Sequence, residues 1–140
     1  MLKLNNIQAS YYPGNPIIKG IDLQLGEGEK IVILGRNGAG KTTLANAVFG
    51  LVPHLSGEIY FKGKDLRMMP PERISSAGIG YFMQGAPVFP QLSVKENLHF
   101  AQRSKINDLS AAIDEISQSL PLLTEKRFLM MPAGSLSGGE

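Results

Sequence analysis

Lys30-Ile31-Val32-Ile33-Leu34-Gly35-Arg36-Asn37-Gly38-Ala39-Gly40-Lys41-Thr42-Thr43-Leu44-Ala45-Asn46-Ala47-Val48-Phe49 joins three kinds of sequence without a break. Ile31 to Leu34 is short, continuous and β-branched, the pattern of a strand covered on both faces of a parallel sheet. Lys41 to about Phe49 carries good helix formers with Leu44, Ala45, Val48 and Phe49 at helical spacing, and Gly50 and Pro53 end the run. Between them, Gly35 to Thr42 fits G-x-x-x-x-G-K-[ST]. Strand, glycine loop and helix in that order form an anion cradle. The glycines let successive backbone N–H groups face a phosphate, and the helix N-terminus adds its positive end. Lys41 reaches the β- and γ-phosphates, and Thr42 offers a hydroxyl to Mg²⁺.

Working outward, Leu2, Leu4 and Ile7 suggest a first strand, and Tyr11-Tyr12-Pro13-Gly14-Asn15-Pro16 supplies the residues of a turn. Ile21, Leu23 and Leu25 alternate with Asp22 and Gln24, so a half-buried strand follows and closes a hairpin-like opening. After the helix, Gly57 to Phe61 reads as a strand with a turn at Lys62-Gly63-Lys64-Asp65, and Pro70-Pro71-Glu72-Arg73 as a helix start. Ile79 to Met83 is a further short strand. Ser93 with Glu96 has capping-box spacing ahead of Leu98 and Phe100. Ile113, Ile116 and Leu120 predict an amphipathic helix stopped by Pro121.

Composition narrows the chemistry. The chain has 140 residues, near the commonest size of one domain, with 43% hydrophobic and 19% charged residues and a formal charge of +2. That is a globular composition without a basic block, so nucleic acid is not an expected partner. No cysteine occurs, which excludes disulfides, thiolate metal sites and a cysteine nucleophile. His54 and His99 are the only imidazoles and read as surface or loop residues. No apolar run approaches the roughly 18 residues of a membrane span, and Met1 to Tyr12 lacks a signal-peptide core, so a cytoplasmic protein is expected.

A phosphate loop alone leaves kinases, GTPases and motors open, and a second motif decides among them. Leu136-Ser137-Gly138-Gly139-Glu140 resembles the signature motif of ABC transporter ATPases, and Gly35-Arg36-Asn37-Gly38-Ala39-Gly40-Lys41-Thr42-Thr43 resembles that family's Walker A form. Between them, Tyr81-Phe82-Met83-Gln84, Val88-Phe89-Pro90 and Leu92-Ser93-Val94-Lys95-Glu96-Asn97-Leu98 resemble its Q-loop segment. The resemblance implies an α/β fold of the P-loop NTPase class: the N-terminal portion of an ABC nucleotide-binding domain. About 1–90 would hold an antiparallel β subdomain and RecA-like core, and about 91–140 part of the helical subdomain. ATP and Mg²⁺ are the implied ligands, held by Gly35 to Thr43, with Thr42 and Gln84 on the metal.

The same resemblance places an aromatic ring against adenine in the turn before Ile18. Tyr12 is the expected stacking residue and Tyr11 its rival. Ser137, Gly138, Gly139 and Glu140 would face the ATP of a second ABC ATPase subunit in a head-to-tail dimer. Membrane-spanning permease subunits are the other implied partners, on the cytoplasmic face of the membrane. Leu120 to Arg127, Ala133 to Glu140, Gly78-Ile79-Gly80-Tyr81 and Gln84-Gly85 resemble branched-chain amino acid importers and the related urea importers. Phe82-Met83-Gln84 stands where many relatives have Val-Pro-Gln. The chain ends at the signature, ahead of the Walker B carboxylates and the switch histidine of the resembled family. No catalytic residue is therefore expected within it, and such a chain should bind ATP better than it cleaves it. Alternatives are a non-catalytic nucleotide-binding fragment and a soluble ABC ATPase acting on nucleic acid; the low net charge and the absence of a coiled-coil insertion count against the latter.

Overall fold

The computed structural model describes residues 1–83, 85, 88–101 and 109–137. Gln84, Gly138, Gly139 and Glu140 lie outside the described residues. The chain divides into two compact units, Met1–Tyr81 and Phe82–Glu140.

In the first unit a four-stranded antiparallel sheet has the order β2-β1-β3-β4. Its strands are β1 (Leu2–Ser10), β2 (Ile18–Leu25), β3 (His54–Phe61) and β4 (Lys64–Asp65). The hairpin expected around Pro13-Gly14 is present, with Leu4 opposite Leu23 and Ile7 opposite Ile21. The buried apolar residues of β1 are Leu4, Ile7 and Ala9, a pattern that slips by one residue between Leu4 and Ile7. A period of two cannot bury both Leu4 and Ile7, so the strand must carry an extra residue. It does so at Asn6, whose φ is 46° and whose N–H donates to Asp22 Oδ1 at 2.8 Å. β3 accommodates the bulge with Gly57 at φ 91°, where a Cβ would lie 2.4 Å from the Asn6 carbonyl oxygen. Arg67 holds the same place from outside, donating to the Gly57 carbonyl at 3.0 Å while its fork grips Asp65. That pairing holds the Asp65 carboxyl below its usual range.

Helix α1 (Lys41–Val48) buries Thr43, Leu44 and Ala47 in a core with Leu4, Ile7, Ile59 and Ile74. Helix α2 (Pro71–Ser76) begins where Pro70-Pro71 suggests, and its Ile74 is fully buried.

Two expected strands are corrected. Ile31 to Leu34 joins no ladder, and its side chains are 44%, 79%, 45% and 86% exposed in chain order. Ile79 to Met83 likewise forms no strand. The residue types suit a buried parallel strand, but strand structure needs a neighbour to take its N–H and C=O groups. Among the described residues no strand pairs with either segment.

The second unit is helical: α3 (Val94–Ala101), α4 (Leu109–Ser117) and α5 (Lys126–Leu129), with 3₁₀ turns at Pro121–Thr124 and Ala133–Ser135. Its core gathers Val94, Ile113, Leu123 and Phe128. The stripe expected to reach Leu120 is shorter: α4 ends at Ser117, and Ile116 and Leu120 are exposed. The capping box at α3 forms as its spacing requires, with Ser93 N–H donating to Glu96 Oε2 at 2.8 Å and Glu96 N–H to Ser93 Oγ at 3.2 Å. The Ser93 hydroxyl also donates to Glu96, and these bonds hold the Glu96 carboxyl below its ordinary 4.5. The cap is therefore complete above that ordinary value and is lost as pH falls through the lowered folded-state value. We predict that amide-exchange protection in the first turn of α3 drops as pH falls below 4.5 and through the lowered folded-state value, and that Glu96→Gln makes it pH-independent over that range. Equal acid sensitivity of both proteins would contradict the cap.

Candidate functional site

The loop between Gly35 and Lys41 is shaped by left-handed glycines. Gly38 has φ 80° and open space around its missing Cβ. Gly40 has φ 92°, and a Cβ there would meet Ile18 Cδ1 at 2.7 Å and Ile17 Cγ2 at 3.2 Å. Gly40 is thus the residue on which the loop turns into the helix against β2, and only glycine fits it. Ala39 N–H donates to the Arg36 carbonyl at 3.1 Å, which closes the turn.

Helix α1 starts immediately after Gly40, with no side-chain cap and no acidic residue in its first turn. Its first backbone bond runs from Leu44 N–H to the Gly40 carbonyl at 2.8 Å, so the amides of Lys41, Thr42 and Thr43 precede the ladder. A helix end left this way favours an anion. The Lys41 ammonium folds back on the loop and donates to the carbonyls of Gly35 at 2.7 Å and Arg36 at 2.9 Å. The loop itself therefore holds the positive charge beside the free amides. Thr42 is exposed at the helix end while Thr43 is buried, so the two threonines divide into one that can meet a ligand and one that packs.

These features fit a Mg²⁺-bound nucleotide. The cradle would offer amides and one ammonium to phosphate oxygens, and Thr42 would offer one neutral oxygen to a cation. Among the described residues no group of His, Cys, Asp or Glu could hold a metal ion by itself. A cation here would thus depend on the phosphates it accompanies.

The two tyrosines of the β1–β2 turn differ. Tyr12 is 76% exposed, whereas the Tyr11 hydroxyl accepts from Asn46 Nδ2 at 2.7 Å and so is tied to α1. Asn46 Oδ1 in turn accepts from the Tyr81 hydroxyl, and Tyr81 packs on Phe49 with ring centroids 5.1 Å apart. Sequence reasoning missed Asn46 and Tyr81 as partners, because their contact spans 35 residues. The only local signal was a polar residue on an otherwise apolar helix run.

In the second unit, Ser137 is exposed and follows the 3₁₀ turn at Ala133–Ser135. That turn is fixed to the start of α3: Val94 N–H donates to the Met131 carbonyl at 3.0 Å, Ala133 N–H to Leu92 at 2.9 Å and Gly134 N–H to Pro90 at 3.0 Å. A Cβ on Gly134 would stand 2.8 Å from Pro90 Cβ, so this approach requires glycine. Asn97 completes the brace, accepting from Phe89 N–H at 2.8 Å and donating to the Phe89 carbonyl at 3.0 Å.

Residues 18–140 match the family described as ABC transporter. The chain belongs to the ABC transporter ATP-binding family. It is 33% identical over its whole length to the probable branched-chain amino acid transport ATP-binding protein LivF of Archaeoglobus fulgidus, covering 58% of that protein. It is 35% identical over 90% of its length to the cytochrome c biogenesis ATP-binding export protein CcmA of Cupriavidus necator, covering 54% of it. It is also 34% identical over its whole length to the spermidine/putrescine import ATP-binding protein PotA of Mesoplasma florum, covering 39%. The chain thus spans roughly half the length of these relatives.

Among solved structures, a nucleotide-free ATP-binding cassette from an ABC transporter superposes with TM-score 0.76 at 25% identity, over 99% of this chain and 60% of that one. A dimeric ATP-binding cassette in a post-hydrolysis state, bound to ADP and Pi, superposes with TM-score 0.73 at 26% identity, over 99% of this chain and 64% of that one. The fold is that of the N-terminal portion of an ABC ATPase cassette, as the order of motifs implies. Among the described residues no helix is long and apolar enough to cross a membrane.

Proposed function

We propose that the chain binds Mg²⁺-ATP as the nucleotide-binding part of an ABC importer subunit, and that the transported solutes are branched-chain amino acids. One observation carries the nucleotide reading: the uncapped start of α1 behind Gly38 and Gly40, with the Lys41 ammonium held beside it by Gly35 and Arg36. In this reading Gly35, Arg36, Asn37, Gly38, Ala39, Gly40, Lys41, Thr42 and Thr43 surround the phosphates. Thr42 and Gln84 serve Mg²⁺, which neutralises phosphate charge when bound. Ser137, Gly138, Gly139 and Glu140 serve the ATP of a second subunit in a head-to-tail dimer. The division of the site between a β and phosphate-loop subdomain and a helical one follows the same reading.

Tyr12 is the residue assigned to adenine. Its ring is free of the hydrogen bond that occupies Tyr11. Stacking contributes about 1–3 kcal/mol per base, so Tyr12→Ala is expected to raise the Kd for ATP roughly tenfold in a calorimetric titration. The same loss in Tyr11→Ala with none in Tyr12→Ala would reverse the assignment.

None of the residues assigned to the chain's own nucleotide is a carboxylate or imidazole. Without such a group to orient water, the 140-residue chain alone is proposed to bind ATP and to hydrolyse it very slowly. Membrane-spanning permease subunits on the cytoplasmic face are the proposed partners. An apolar groove of the second unit, with Val88, Phe89, Leu98, Phe100 and Leu136 among its walls, supports a protein partner there.

The similarity to LivF over the full chain, together with the segments Leu120 to Arg127 and Ala133 to Glu140, supports the choice of solute. The test is ATP-dependent uptake in vesicles carrying the full-length subunit with its permease. Leucine uptake agrees with the proposal, and uptake of spermidine or urea instead would overturn the solute while leaving the ATP reading intact.

A further inference from the structure

We propose that Asn46 is a positioning residue that ties the nucleotide-facing turn at Tyr11-Tyr12 to Tyr81, so that nucleotide occupancy alters the point where the chain leaves its first unit. The inference rests on the nucleotide reading above and adds a residue that does not touch the ligand.

Asn46 lies four residues after Thr42 and three before Phe49, which puts all three on one face of α1 and the turn that follows it. Its amide is used in both senses. Nδ2 donates to the Tyr11 hydroxyl at 2.7 Å, and Oδ1 accepts from the Tyr81 hydroxyl. Each tyrosine hydroxyl can both donate and accept, so one amide satisfies the two of them at once. The two rings therefore share a single side chain, and its position sets both together. Tyr81 is further held by the Phe49 ring at 5.1 Å, and it is the last residue of the first unit.

At the other end, Tyr11 precedes the exposed Tyr12 in the turn between β1 and β2. A base stacking on Tyr12 must order this turn, and Thr42 at the start of the same helix meets the opposite end of the ligand. Asn46 is thus reached from both ends of a bound nucleotide. A hydrogen-bonded link of this kind carries coupling when both ends bias one arrangement, and substitution within it is the direct test.

Tyr11, Tyr12, Tyr60 and Tyr81 are the only tyrosines, so the 3-fluorotyrosine-labelled 140-residue chain gives four ¹⁹F resonances. These are assigned with single Tyr→Phe variants and followed at saturating Mg²⁺-ATP. In the wild type, Tyr12 and Tyr81 are expected to shift and Tyr60 to stay. Asn46→Leu is expected to keep the Tyr12 shift, with ATP affinity changed by less than about threefold, and to reduce the Tyr81 shift to below about one fifth. Asn46→Asp, whose carboxylate can accept from both hydroxyls, is expected to restore the Tyr81 shift at saturation. A merely structural Asn46 would not separate the two resonances in this way.

If Asn46→Leu does not fold by circular dichroism, Tyr11→Phe removes one hydroxyl only and is expected to weaken the Tyr81 response. A Tyr81 shift unchanged in either folded variant overturns the inference. A wild type in which Tyr12 shifts and Tyr81 does not also overturns it, and leaves the nucleotide reading standing. A wild type in which no resonance responds to ATP removes both.

Discussion

Lys41→Ala is expected to raise the Kd for Mg²⁺-ATP by roughly a hundredfold, corresponding to about 3 kcal/mol for the loss of an ammonium hydrogen-bonded to phosphate. In the free protein the ammonium already donates to the Gly35 and Arg36 carbonyls at 2.7 and 2.9 Å. The gain on binding is therefore an exchange of two neutral acceptors for charged ones, which keeps the effect well below the gross strength of a charge pair. Both carbonyl bonds are exposed to water, so their loss should cost the free chain less than about 1 kcal/mol. Calorimetric titration alongside thermal melts separates the two effects. An unchanged Kd would show that the loop does not bind the phosphates.

The second large effect concerns the sheet. Gly57→Ala must place a Cβ 2.4 Å from the Asn6 carbonyl oxygen and 2.5 Å from that of Asn5, with φ at +91°. Both obstacles are backbone in the neighbouring strand, so neither can swing aside as a side chain would. Strain at positive φ alone costs about 1–3 kcal/mol, and displacing β1 adds to it, for a total of about 3–5 kcal/mol. Against a typical stability of about 5–15 kcal/mol this is a large fraction. Gly63→Ala is the internal control. Gly63 also has positive φ, at +77°, but nothing lies within 4 Å of its missing Cβ. Its substitution should cost only about 1 kcal/mol. Urea unfolding of the two variants measures the difference, and equal destabilisation would contradict the close approach at the bulge.

Local signals in the sequence identified the elements that depend on local chemistry. The capping box is a contact between residues three apart, and Ser93 and Glu96 meet as their spacing requires. The end of α1 just ahead of Gly50 and the hairpin turn at Pro13-Gly14 are equally local. Strand status is different, because it depends on a neighbour. Ile31 to Leu34 has the composition of a buried strand but forms no ladder without one beside it. β3 starts at His54, earlier than the Gly57 start expected from the sequence, because His54 pairs with Ser10 across the sheet.

The shape of the loop from Gly35 to Thr42 was legible for the same reason as the capping box, because its turn and the helix start behind it are set by its own backbone. The difference between the tethered Tyr11 and the exposed Tyr12 was not, since the Asn46 bond that sets them apart comes from another element. The bulge at Asn6 left a trace in the spacing of Leu4 and Ile7. Its glycine partner, Gly57, could be recognised only once β1 and β3 were paired.

The most direct test of nucleotide binding at this loop is a ¹⁵N amide titration of the chain with Mg²⁺-ATP. The largest shifts are expected at the amides of Gly38, Gly40, Lys41, Thr42 and Thr43, with a second set at Tyr12. Saturating ATP that leaves these amides unmoved, or shifts confined to the second unit, would contradict the account.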